Sequence, residues 1–595
     1  MLKLSYVITL LSGLGLFNSC AVNFVNLPNE EIILSYLQKK DSAYGSYLAG
    51  RVAHIRQDYN NASYYYAKSI ERGLKNKDLL GKTYIILASL GDVDKSVKYA
   101  NIARQDGDDN TFIDVINAVY EFQKGNYRLS RNLLNKIDEK TYKNLINPLF
   151  NAWSYVGENN YDQALKELNV LSKSEEMFTV YHLHSGLIAE YFKDNQKAET
   201  HYQTIIDNNA SDISFRALQL ISNFMVRNNK KKEALGLINR FYGSSNIKEM
   251  LSSLSNKVKE SSKKSPSIVN TPQAGISEVF LEIGLLFKSI PAGYDYAQIY
   301  MAFSKYFNPN NDVTKIALAG LFEDRLMYDD ANSCYDSIGR KSEMYYPAQM
   351  KKAQNLSSLE KYDEALVVLK KLLKNNPDNF QILFNLGDIS RYNNDQISAI
   401  EYYNKAIDSI FYETDKYWPV YYALAISYDK NNEWVKAEEK LSKALKLSNR
   451  HPHVLNYLGY SWLKTGIKTD LAVEYIVEAY EKSPNDGFVL DSLGWVYYKT
   501  GDYKNAISFL ERASELDPQN AVISDHLGDA YWLGGRKNEA VFQWKQALKQ
   551  KDDYNELNIK KVKSKIKSGL VQNDVLTLEN EKTSNLLKNI ENITH

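Results

Sequence analysis

Cysteine is nearly absent from this 595-residue chain, which has only Cys20 and Cys334. No disulfide framework can organise it. Proline is scarce, at 12 residues, so few positions interrupt a helix. An excess of one charge is also missing: 73 Lys and Arg stand against 72 Asp and Glu, a net +1. Nothing in that balance attracts a polyanion, and nucleic acid is not an expected partner. There is no glycine-rich phosphate loop and no G-x-S-x-G elbow. The eight histidines are scattered. His182 and His184, like His451 and His453, are two residues apart, a spacing that points to different faces of a helix. No cysteine or carboxylate cluster at ligand spacing accompanies them. An enzyme, a metal and any other cofactor are therefore not expected. Tyrosine, by contrast, is abundant, at 45.

What is present is a repeat. Leu493-Gly494, Tyr497, Ala506, Leu510 and Ala513 recur 34 residues later as Leu527-Gly528, Tyr531, Ala540, Trp544 and Ala547. Leu490, Leu493 and Tyr497 follow the i, i+3, i+7 stripe of an amphipathic helix. Gly494 lies on the same side and admits a second helix close to the backbone. Gly501-Asp502 marks a turn. Ala506, Leu510 and Ala513 form the stripe of the second helix, and Asp517-Pro518 ends the unit. The period and the residue set resemble the tetratricopeptide (TPR) helix–turn–helix. Neither helix of such a hairpin can bury its stripe alone, so hairpins stack.

Further copies run upstream through Leu458-Gly459, Leu424-Ala425, Leu386-Gly387, Ala365 and Leu318-Ala319 to Gly284. About eight hairpins fill 276–554 and about six looser ones fill 21–245, beginning with Gly50, Ala62 and Tyr66. The expectation is an all-α TPR solenoid of about fourteen hairpins. Residues 246–275, rich in Ser and Lys, read as a linker. Ile559, Val562 and Ile566 predict a capping helix within 555–570, ended by Gly569. Residues 571–595 read as a mobile polar tail.

Residues 1–20 carry an address. Lys3 precedes an apolar stretch, Leu4–Leu16, of the length of a signal peptide and too short for a membrane span. It ends at Phe17-Asn18-Ser19-Cys20. That resembles a bacterial lipobox, whose cysteine becomes lipidated, although Phe17 and Asn18 depart from its usual residues. An ordinary cleaved signal or an uncleaved anchor, with Cys20 incidental, is the other reading. Ala21 lacks the aspartate that retains many lipoproteins in the inner membrane. The resemblance to those sorting rules implies the periplasmic side of the outer membrane, with the periplasm or inner membrane as alternatives.

In a TPR stack the first helix of each hairpin lines the concave face. Positions just off the packing stripe are Tyr422 and Ile426; His453, Asn456 and Tyr460; Phe488, Asp491, Trp495 and Tyr498; and Asp525, Asp529 and Trp532. Aromatic rings among carboxylates and amides suit peptide binding. Equally, several of these rings could simply pack against neighbouring repeats.

The blocks Asn456–Trp462, Leu490–Tyr498 and His526–Trp532, together with the signal, resemble a family of long proteobacterial TPR lipoproteins. Similar proteins of the LbcA and NlpI type are outer-membrane adaptors that bind a C-terminal processing protease and its substrates, which include cell-wall enzymes. The resemblance implies a non-catalytic, lipid-anchored scaffold for a protein partner of that kind. A module in secretion or outer-membrane assembly, binding unfolded or nascent chains, is the alternative.

Overall fold

The computed structural model describes residues 42–208, 213–241, 248–550, 557–570 and 581–594. The signal region and Cys20 lie outside them. The described residues form helices and connecting turns, with no strand among them. Six helix pairs run from Ala43–Ile55 with Tyr59–Glu71 to Phe215–Arg227 with Lys231–Arg240. Eight more run from Pro272–Lys288 with Tyr294–Phe307 to Ala521–Leu533 with Lys537–Ala547. Among the described residues the expected all-α set of fourteen helix hairpins is formed.

One hairpin shows why. Helix Gly487–Lys499 buries Leu490, Leu493 and Tyr497, and helix Tyr503–Leu516 buries Ala506, Leu510 and Ala513. A side chain at Gly494 would meet Leu510 at 2.7 Å, so the absent Cβ sets the helix spacing. Gly501 has φ +84° and reverses the chain. Asn394 and Asn432 take the same left-handed conformation at the matching turns, as asparagine tolerates. Asp502 then accepts the backbone N–H of Asn505, capping the second helix.

The tyrosines have a second job. In several hairpins a ring on the second helix donates to an acid on the first. Tyr202 reaches Glu190 and Tyr335 reaches Glu323 at 3.0 Å, and Tyr403 reaches Asp388 at 2.6 Å. Trp544 takes that role in the last hairpin, donating from Nε1 to Asp529 at 2.9 Å. Each such ring is fully buried, and its polar tip is satisfied inside the repeat.

The chain divides into two compact units between Lys361 and Tyr362. This departs from the expected division at 246–275. In the first unit the hairpin Pro272–Phe307 packs against repeats far earlier in the chain. Tyr300 and Tyr142 share a hydrogen bond at 3.0 Å, and Phe307 meets the edge of Phe122. Phe280 meets Phe150, and Gly275 abuts Trp153. Glu282 pairs with His184, and Glu278 with Arg216. These earlier repeats therefore pack against the unit's own hairpin.

Nor are residues 246–275 a linker. Lys248–Glu260 is a helix that buries Leu251, Leu254 and Val258, and its Lys257 pairs with Glu343 at 2.7 Å. Its i, i+3, i+7 stripe is hidden among Ser and Lys. Pro272 then opens the next helix at its first position, where a missing N–H costs nothing.

The second unit ends in two further helices. Ile559–Ser568 is the expected capping helix, and Gly569, at φ +78°, closes it. Its buried side chains are Val562 and Lys565, whereas Ile559 is exposed and Ile566 half-buried. The expected apolar stripe is thus replaced by one with a lysine at its centre. Glu581–Thr594 is a helix as well, not part of a mobile polar tail. Thr583, Leu587 and Ile590 are buried, and the helix lies against Thr469–Lys482. Its short stripe in polar company escapes a reading by composition.

Candidate protein-binding face

The first helices of the last four hairpins carry every residue expected in the groove, and the structure divides that set in two. The upstream part is half-exposed. Tyr422 lies between the rings of Trp418 and Tyr457, at 6.0 and 5.9 Å. Trp418 itself stacks on His451 at 4.5 Å, a partner absent from the sequence reading. His453 bonds Asp486 at 2.9 Å, and this bond raises its pKa above the usual histidine value. Asn456 donates to the carbonyl of Phe488 at 3.4 Å. Its Oδ1 is buried without a hydrogen-bond partner among the described residues. Tyr460 is half-buried, and its hydroxyl lies 3.5 Å from His526 Nε2.

The downstream part is filled. Trp495 is sandwiched between Tyr498, at 4.4 Å, and His526, at 4.0 Å, both nearly parallel to it. Tyr498 and Asp491 are buried. His526 Nδ1 lies 2.9 and 3.0 Å from the two oxygens of Asp491. Burial alone would depress the histidine pKa. The charge and hydrogen bond of Asp491, with Asp525 and Asp529 nearby, outweigh it and raise the pKa.

Asp525 and Asp529 are claimed by the capping helix. Lys565 Nζ lies 2.8 Å from Asp525 and 2.7 Å from Asp529. Asp529 also accepts from Trp544, and burial followed by the charge of Asp525 raises its pKa. Trp532 donates to the carbonyl of Leu570 at 3.1 Å and covers Gly569. Thus Asp491, Tyr498 and Asp529 do not stand open in a groove, and Asp525 and Trp532 are engaged by the chain's own end.

The physical logic of the closed part is charge. Three carboxylates converge with a histidine and a lysine, each supplied by a following helix in the stack: His526 for Asp491 and Lys565 for Asp525 and Asp529. Sequence reasoning missed both. His526 stood on the same helix as three expected groove residues, Asp525, Asp529 and Trp532. Lys565 follows Val562 by three residues, on the buried side of the capping helix.

The scattered histidines upstream are structural. His182 and His201 share a hydrogen bond at 2.9 Å, and His184 is held between Trp153 and Glu282. Among the described residues no group of three or more His, Cys, Asp or Glu is placed to hold a metal ion.

The geometry agrees with sequence comparison. The profile of the tetratricopeptide repeat matches residues 487–520 and, in a second form, residues 350–411. The chain carries tetratricopeptide repeats. It is 27% identical over 183 residues to a TPR repeat-containing protein of Pseudomonas aeruginosa, covering 30% of each chain. It is 29% identical over 138 residues to anaphase-promoting complex subunit 3 of Schizosaccharomyces pombe, covering 23% of this TPR chain and 19% of the relative. It therefore spans less than a third of the length of either. The solved APC/C hetero-tetramer Cut9–Hcn1 is 14% identical, with a TM-score of 0.36 over 91% of this chain and 98% of that one.

Proposed function

We propose that this TPR chain is a non-catalytic scaffold that holds a protein partner on the half-exposed first-helix face of its second unit. One observation carries this reading: Trp418, Tyr422 and His451 form a half-exposed cluster of rings, and Asn456 and Tyr460 stand half-buried on helix Pro452–Thr465, Asn456 with an amide oxygen that has no partner among the described residues. Such a cluster offers rigid apolar area at little conformational cost, and the Asn456 amide suits a peptide backbone. In the first unit, early repeats pack instead on their own hairpin, Pro272–Phe307. A relative named as a subunit of a multi-protein complex is in keeping with a scaffold.

The sequence before residue 42 supports an envelope location: an export signal, with Cys20 as lipid anchor, on the periplasmic side of the bacterial outer membrane. A C-terminal processing protease or a cell-wall enzyme is the partner class that the family resemblance favours. A scaffold that tethers protease and substrate raises their effective concentration without chemistry of its own.

Affinity capture of the tagged chain from native envelopes tests the scaffold. The expected result is one stoichiometric partner, lost on Tyr422→Ala with Tyr460→Ala. Recovery of many transient unfolded chains would favour secretion or assembly instead, and no partner at all would overturn both readings. Labelling with a palmitate analogue, lost on Cys20→Ala, tests the anchor separately.

A further inference from the structure

Helix Glu581–Thr594 is unlike every repeat helix. It returns to Thr469–Lys482, two hairpins before the end of the array, and pairs with no hairpin partner. Thr583, Leu587 and Ile590 are its buried side chains, spaced i, i+4, i+7 on one face. The hydroxyl of Tyr497 donates to the carbonyl of Leu587 at 3.0 Å. This is an amphipathic helix seated on a surface of other helices.

Two observations make this seat exchangeable. First, the array is already closed without it, because Val562 and Lys565 of the capping helix cover the last hairpin. Exposed repeat ends need one such cover. Second, the fit is incomplete. Thr583 Oγ1 is buried with no hydrogen-bond partner among the described residues. A buried hydroxyl without a partner weakens docking, and a methyl group in its place would not.

We propose that the surface of helix Thr469–Lys482 beside Tyr497 is a second protein-docking site, separate from the first-helix face. It takes an amphipathic helix of a partner protein with a small apolar residue at i and Leu or Ile at i+4 and i+7. Residues 581–594 occupy it in cis until such a helix displaces them. Alanine in the place of Thr583 makes the better ligand.

The probe is a fluorescent peptide of residues 581–594, with Thr583→Ala and Leu587→Asp versions. The full chain is compared with a full-chain variant, Leu587→Asp with Ile590→Asp, whose own helix is undocked. The undocked variant is expected to keep the thermal transition of the array and to bind the peptide about tenfold more tightly than wild type does. The Thr583→Ala peptide binds more tightly still, and the Leu587→Asp peptide does not bind. In the wild type, amides of 581–594 exchange about tenfold faster than those of Thr469–Lys482. Equal peptide affinity for the two proteins, equal exchange protection, or melting of the array on undocking would overturn the site. So would a wild-type dimer abolished by the substitutions, which would assign the helix to self-assembly.

Discussion

The ammonium of Lys565, on the capping helix, lies 2.7 Å from the carboxylate of Asp529, on helix Ala521–Leu533, and both side chains are 4% exposed. The contact joins the end of the chain to the last repeat through a buried charge. Removing one member of such a group leaves the other charge uncompensated. Lys565→Met is expected to destabilise the second unit by about 3–5 kcal/mol, read as a lower urea midpoint. Adding Asp525→Asn and Asp529→Asn should restore much of the loss. If Lys565→Met alone is neutral, the capping helix does not depend on this group.

The second prediction concerns pH. His526 has a folded pKa above its ordinary 6.5 because the carboxylates around it outweigh its burial. Its contribution to stability is therefore fully present below pH 6.5 and is lost as pH rises through the folded value. Asp529 acts in the same sense. Its folded pKa is raised from 3.8, first by burial and then by Asp525, so the folded state holds its proton more tightly. The second unit should lose stability as the pH is raised from 6.5, and His526→Gln should flatten that part of the curve. The Asp529 contribution is lost from pH 3.8 upward, and a wild-type urea midpoint that is constant from pH 6 to pH 9 would refute the assignment of His526.

The two halves of the expected groove should respond differently to truncation. Trp495→Ala removes the middle ring of the stack Tyr498–Trp495–His526. It is expected to cost more than about 1 kcal/mol and to expose the His526–Asp491 pair. Tyr422→Ala, on the half-exposed part, should change stability less and partner capture more. The reverse order, measured by urea unfolding and by capture, would place the binding face on the closed part instead.

Glycine at the hairpin crossing is the fourth test. A Cβ at Gly494 meets Leu510 at 2.7 Å, and one at Gly528 meets Trp544 at 2.5 Å. Gly494→Ala and Gly528→Ala should each destabilise by about 1–3 kcal/mol, because neither neighbour has room to retreat. Gly236, with open space around it, is the control, and Gly236→Ala should be neutral or mildly stabilising.

The sequence by itself determined the repeat. Leu493, Gly494, Tyr497, Ala506 and Leu510 encode a hairpin because helix periodicity, close approach and turn chemistry all act within one 34-residue unit. Nearest-neighbour stacking then follows from the same stripe, so the number of hairpins was legible from end to end. Only the tertiary structure decided which faces are filled. Nothing local in Pro272–Phe307 says that it packs on Phe122, Phe150 and Trp153. Nothing local in Lys565 says that it neutralises Asp525 and Asp529, or in Leu587 that it meets Tyr497. Those pairings join residues far apart in the chain, and a periodic pattern carries no information about which distant surface a stripe will meet. The candidate face was therefore readable as a set of positions, while its division into an open and a closed part depended on where the chain's own later helices came to rest.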